Sequence, residues 1–174
     1  MLFFFSGSSA QNLSLGQLEQ MLNQTMDGAE ESLFLIGYSF SGEDSIKNKG
    51  SIFFFSNRKH TIGTAKRVSK AVYHTEPLQS YIRYTTYDRP EFERLRRQMV
   101  EEQFIRDSKD GLSENSNYSK DHLKVKFEVN TDEYENSVFH ITLRNSRIIV
   151  AEKPGRSFNL KKLINQRFRK EEEF

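Results

Sequence analysis

Cysteine and tryptophan are absent from the chain, and proline occurs only 3 times in 174 residues. Without cysteine there is no disulfide framework and no thiolate zinc site, which points to a reducing compartment, cytoplasmic or nuclear. No window approaches the roughly 18 consecutive apolar residues that a membrane-spanning helix needs, so a soluble protein is expected. Met1 to Phe5 is apolar, but no positive charge precedes it and Ser6-Gly7 break it, so it reads as a strand (Leu2 to Phe5) rather than a secretory leader. There is no His-Glu-x-x-His, no carboxylate pattern of a calcium loop, and no Gly-Lys-Ser/Thr closing the glycine-containing stretch 41–50. No metal or cofactor is therefore expected, and nucleotide hydrolysis is disfavoured.

Aromatic residues are plentiful: 15 Phe and 7 Tyr predict a phenylalanine-rich core. The formal net charge is only +2, yet it is unevenly laid out along the chain. Residues 1–56 and 107–136 are acidic on balance, while 57–106 and 137–174 are basic. Two basic blocks alternating with two acidic ones predict a dipolar surface if the basic blocks meet in space.

Ser14 and Gln17 have the spacing of a capping box ahead of Leu15, Leu18, Met21 and Leu22, which predicts a helix ending at Asp27-Gly28. Ser32 to Phe40 is a nearly continuous apolar run and reads as a central strand, paired through a polar loop (Ser41 to Gly50) with Ser51 to Phe55. Asn57 to Lys70 has the composition of a basic loop, followed by a brief strand at Val72 to His74 and another at Ser80 to Tyr87. Asp88 or Arg89 before Pro90 starts a helix with Phe92, Leu95, Met99, Val100, Phe104 and Ile105 inward. Ser108 to Asp121 reads as a loop. Beyond it Leu123, Val125, Phe127 and Val129 alternate with Lys124, Lys126, Glu128 and Asn130, so one face of that strand meets water. Val138 to Arg144 and Arg147 to Glu152, joined at Asn145-Ser146, complete a three-stranded meander, and a final helix carries Leu160, Leu163, Ile164 and Phe168 inward. The order predicts an α+β fold: a mainly antiparallel sheet of about seven to eight strands with three helices, the last packed on the meander. One domain over 1–174 is expected, the alternative being subdomains 1–107 and 122–174 joined by the loop.

The functional expectation rests on charge. Between residues 57 and 75 lie Arg58, Lys59, Lys66, Arg67 and Lys70 with no acid, beside Tyr73 and Tyr81. Lys161, Lys162, Arg167 and Arg169 give the final helix a basic outer face. Cations contact phosphates and exposed aromatics stack on bases, so these eleven residues are the expected site of a non-enzymatic nucleic-acid-binding domain, for DNA or RNA. The alternative is an interaction module docking an acidic protein, or a second copy of the chain as a homo-oligomer. A third reading comes from His140-Ile141-Thr142, whose spacing resembles the His-x-Thr element of two-histidine phosphoesterases. Those enzymes need the element twice, and His60, His74 and His122 lack the spacing. Phe53 to Ser56, the basic residues after it and Gly63-Thr64 resemble part of the β-core of plant NAC DNA-binding domains over about twenty residues. The spacing to the glycine differs and the tryptophan of that family's next motif is missing, so the likeness implies no site residue.

Overall fold

A computed structural model describes residues 12–47, 49–57, 65–107 and 114–147. Helices α1 (Leu15–Asn23) and α2 (Met26–Leu35) precede strands β1 (Tyr38–Ile46), β2 (Gly50–Asn57), β3 (Arg67–Tyr73) and β4 (Tyr81–Thr86). Helix α3 (Arg89–Glu101) then leads into β5 (Ile105–Arg106), β6 (Ser116–Lys120), β7 (Leu123–Thr131) and β8 (Ser137–Asn145). The fold is α+β, as the element order predicts, with one eight-stranded sheet in the order β1-β2-β3-β4-β8-β7-β6-β5. Every neighbouring pair is antiparallel. Each half is a helical segment followed by a four-strand meander, and the last strands of the two meanders, β4 and β8, join at the centre of the sheet.

All three helices cover one face. Leu15, Leu18 and Met21 of α1, Phe92, Leu95 and Met99 of α3, and Ile82, Tyr84, Val125, Phe127, Ile141 and Leu143 of the sheet form one buried cluster. Phe92 packs edge-on against Phe127 at 5.3 Å between ring centroids and lies tilted on Phe139 at 4.8 Å. Aromatic rings thus pack at the centre of the sheet, but among the described residues buried leucines outnumber buried phenylalanines, so the core is mixed where composition predicts one rich in phenylalanine.

The capping box forms: the Ser14 hydroxyl accepts from the Gln17 amide at 3.2 Å, and the Gln17 side chain accepts from the Ser14 amide at 2.9 Å. The run from Ser32 to Phe40 is not one strand. Thr25 caps a second helix by accepting from the Gly28 amide, and Ala29 and Leu33, four apart, bury against the sheet side while Leu35 stays exposed. Gly37, at φ 93°, ends that helix in a conformation open to glycine, and β1 begins at the next residue. A short apolar run looks the same as strand or buried helix, and here the cap at Thr25 decides for helix.

Ser41 to Gly50 is also not a loop, because β1 continues to Ile46 as a polar edge strand with a bulge between Phe40 and Gly42. Gly50 follows the turn because a Cβ there would fall 1.9 Å from the Val72 carbonyl oxygen. The presumed basic loop folds as β3 from Arg67 onward. Helix α3 starts where expected, with the Asp88 side chain accepting from the Glu91 amide, but it stops at Glu101, leaving Val100 70% and Ile105 73% exposed instead of inward. Part of the presumed loop 108–121 is β6, whose Ser116 and Tyr118 turn inward and which joins β7 through Asp121 at φ 51°. The expected strand Leu2 to Phe5, the last strand beyond Arg147 and the final helix lie outside the described residues. No helix among the described residues is long and apolar enough to cross a membrane.

Candidate nucleic-acid interface on the open face of the sheet

Strand alternation sends neighbouring residues to opposite faces, so it divides the basic cluster near residue 67. Lys66 and Lys70 point to the helix side. The Lys66 ammonium lies 2.8 Å from Glu91, whose side chain is fully buried and also accepts from the Tyr84 and Thr86 hydroxyls. The Lys70 ammonium is buried and donates to the main-chain carbonyls of Met21 at 2.5 Å, Leu22 at 3.3 Å and Gln24 at 2.5 Å. Those carbonyls are among the unpaired acceptors at the end of α1, so Lys70 closes the helix rather than facing a ligand. Burial lowers its pKa to about 8. Burial, partly opposed by Tyr84 and reinforced by the charge of Glu91, holds the Tyr38 hydroxyl well above the usual phenol range, and burial, then Tyr38, then Glu91 raise Tyr84 likewise.

Arg67, Tyr73 and Tyr81 fall on the other face, with Arg67 exposed and both tyrosines half-buried. Arg58, Lys59, Lys161, Lys162, Arg167 and Arg169 lie outside the described residues. The open face of β4, β8, β7 and β6 carries three rows of side chains that the pairing register aligns. The first is Tyr81, Arg144, Lys124 and Ser119; the second is Arg83, Thr142, Lys126 and Asn117. The third is Thr85, His140 and Glu128, continued onto β3 by Arg67. A hollow of about 550 Å³ opens over these rows, lined among others by Arg83, Lys124, Lys126, Arg144 and the acids Asp107 and Glu128.

The cations of the hollow are not equally neutralised. Lys126 pairs with Glu128 at 2.7 Å, and Arg83 donates to the Thr142 hydroxyl at 3.0 Å while standing 4.0 Å from Glu128. Arg144 and Lys124, by contrast, face each other directly across β8 and β7, and neither meets an acid among the described residues. Like charges placed opposite one another destabilise a sheet, and an anion between them relieves that cost. Tyr81 supports the arrangement, since the guanidiniums of Arg83 and Arg144 lie 5.5 and 5.3 Å from its ring centroid.

His140 and Thr142 do share a strand face, as their spacing predicts. The His140 ring contacts the Thr85 hydroxyl at 3.0 Å. Burial first, and then the charge of Arg83, lower its pKa below the usual imidazole value against an opposing effect of Glu128, which favours the neutral ring. No second histidine stands in the three rows. Among the described residues no group of acids and histidines is arranged to hold a metal ion. Glu43 and Asp44 lie on the edge strand β1, and Asp132 closes the β7–β8 turn by accepting from the amides of Tyr134 and Asn136.

Lys124, Lys126, Arg83 and Arg144 were not singled out by composition, because their local charge density is ordinary. The signal that locates them is the alternation of residues 123–130, which puts both lysines on the water-facing side of one strand. The neighbours that supply the arginines follow only from the pairing of β4, β8 and β7. No protein-family model, no curated protein and no solved structure matches this chain.

Proposed function

We propose that this protein is a non-enzymatic domain that binds nucleic acid on the open face of its sheet. The observation that carries the reading is the opposed pair Lys124 and Arg144, two cations that have no acid partner among the described residues, in a hollow where four cations meet two acids. Arg67 extends the array to β3, which is wider than a small anion requires and suits a polyanion. The basic surface therefore differs from the one that composition suggests. Its centre moves to β7 and β8, Arg67 and Tyr81 stay in it, and Lys66 and Lys70 serve the interior.

Anisotropy titrations of labelled DNA and RNA over a salt series test this directly. Submicromolar binding at low salt, weakened at least tenfold by Lys124→Glu with Arg144→Glu, is expected. Flat traces with every nucleic acid would refute the reading, and salt-sensitive capture of polyglutamate alongside them would assign the same face to an acidic protein.

A further inference from the structure

Lys124 and Lys126 stand two residues apart on the same face of β7, and Glu128 follows at the same interval. A strand rises about 3.3 Å per residue, so the two lysine side chains leave β7 roughly 7 Å apart, a spacing that their flexible ends can match to successive phosphates in an extended nucleic-acid strand. The arginines lie to one side of this line. Arg144 on β8 and Arg83 on β4 flank the Tyr81 ring, leaving planar guanidinium surfaces of the kind on which unpaired bases stack. A duplex encloses its base faces and presents only phosphates to such a surface. At the end of the line the Glu128 carboxylate occupies the place where a third phosphate would fall.

Resting on the nucleic-acid reading, we infer that the ligand is a single strand running along β7. Two successive phosphates sit on Lys124 and Lys126, and the bases turn over Arg144, Arg83 and Tyr81. The hollow is a two-phosphate site with a stacking side, and Glu128 sets its length. Arg144, facing Lys124, shares the first phosphate, while Lys126 exchanges part of its bond to Glu128 for the second.

Competition by unlabelled oligothymidylates of one to eight nucleotides against a labelled octamer reads the site length, with a hairpin duplex as a further competitor. Competition should strengthen at least tenfold between the one-phosphate and two-phosphate ligands, and by less than threefold with each nucleotide after that. Lys126→Gln, and Lys124→Gln combined with Arg144→Gln, should each reduce the slope of log K against log salt by about 0.7, the value for one phosphate contact on a single strand. Lys49→Gln, a surface lysine paired with Glu76, should leave it unchanged. Melting curves of the variants, all at exposed positions, show whether each is folded. If the octamer binds but neither the Lys126 variant nor the Lys124 and Arg144 double variant alters the slope, the track is wrong while the nucleic-acid reading stands. A duplex competing as well as the single strand overturns the single-strand assignment, and absence of binding by any oligonucleotide overturns both.

Discussion

Replacing Glu128 by glutamine should tighten binding, which is an unusual outcome for removing a polar contact. The carboxylate holds Lys126 at 2.7 Å and lies 4.0 Å from Arg83, so it neutralises the second row of cations, while Lys124 and Arg144 of the first row pair with no acid among the described residues. Glutamine keeps the shape and removes the charge. A phosphate over Lys126 would lie at most about one row, roughly 7 Å, from this carboxylate. Two unit charges at that distance repel by about 0.6 kcal/mol at the dielectric constant of water, and by about four times as much at the effective value near a protein surface. At low salt the gain in affinity should therefore be at least about threefold. Because Lys126 and Arg83 become fully available, the salt dependence should steepen in the same variant. Glu128 is mostly covered and lies on the strand face away from the core, so glutamine is expected to change the melting temperature little. Anisotropy with a labelled octamer at two salt concentrations measures both quantities. Unchanged or weakened binding with the fold intact would refute the placement of phosphates along β7.

The two inward lysines lead to stability predictions instead. Lys70→Met leaves three carbonyls at the end of α1 without their donor and should destabilise the fold by about 2 kcal/mol in denaturant titrations. The folded-state pKa of Lys70 is about 8, below its unfolded value, so between that pH and roughly 10.5 the unfolded chain holds more protons. Its contribution to stability is therefore present above the unfolded pKa and lost as pH falls through about 8. Stability should rise with pH across that window, by no more than about 1.4 kcal/mol per unit, and the rise should vanish in Lys70→Met. A flat wild-type profile there would show that the three carbonyls hold the ammonium as firmly as water does. Lys66→Met takes the nearer cation from the buried Glu91 carboxylate, leaving Arg94 at 3.9 Å, and should cost about 3 kcal/mol, partly recovered by adding Glu91→Gln; a loss below 1 kcal/mol would mean that Arg94, Tyr84 and Thr86 sustain Glu91 without Lys66.

Much of the local structure is legible along the chain wherever a side chain reports its own environment. The Ser14–Gln17 box, the Asp88-Arg89-Pro90 helix start and the alternation of β7 each depend on neighbours within a few residues, and each is found where the pattern puts it. The errors fall where local signals are degenerate. Ser32 to Leu35 is apolar enough for a strand, yet the cap at Thr25 and the burial of Ala29 and Leu33 make it helix. The polar residues of β1 and β6 resemble loops because these strands lie at or near the margins of the sheet, where half of their side chains meet solvent.

Legible along the chain alone are the α+β class and the face of β7 on which Lys124, Lys126 and Glu128 stand, because periodicity and capping act over one or two turns of chain. What the charges do depends on contacts between segments far apart in the chain. Pairing β4 with β8 and β8 with β7 brings Arg83, Arg144 and Lys124 together from residues up to 61 apart in sequence. The same sheet turns Lys66 and Lys70 inward to Glu91 and the end of α1. Charge along a chain has no direction until strands acquire faces and neighbours, so a run of cations that looks continuous in sequence becomes one part interior support and one part open surface.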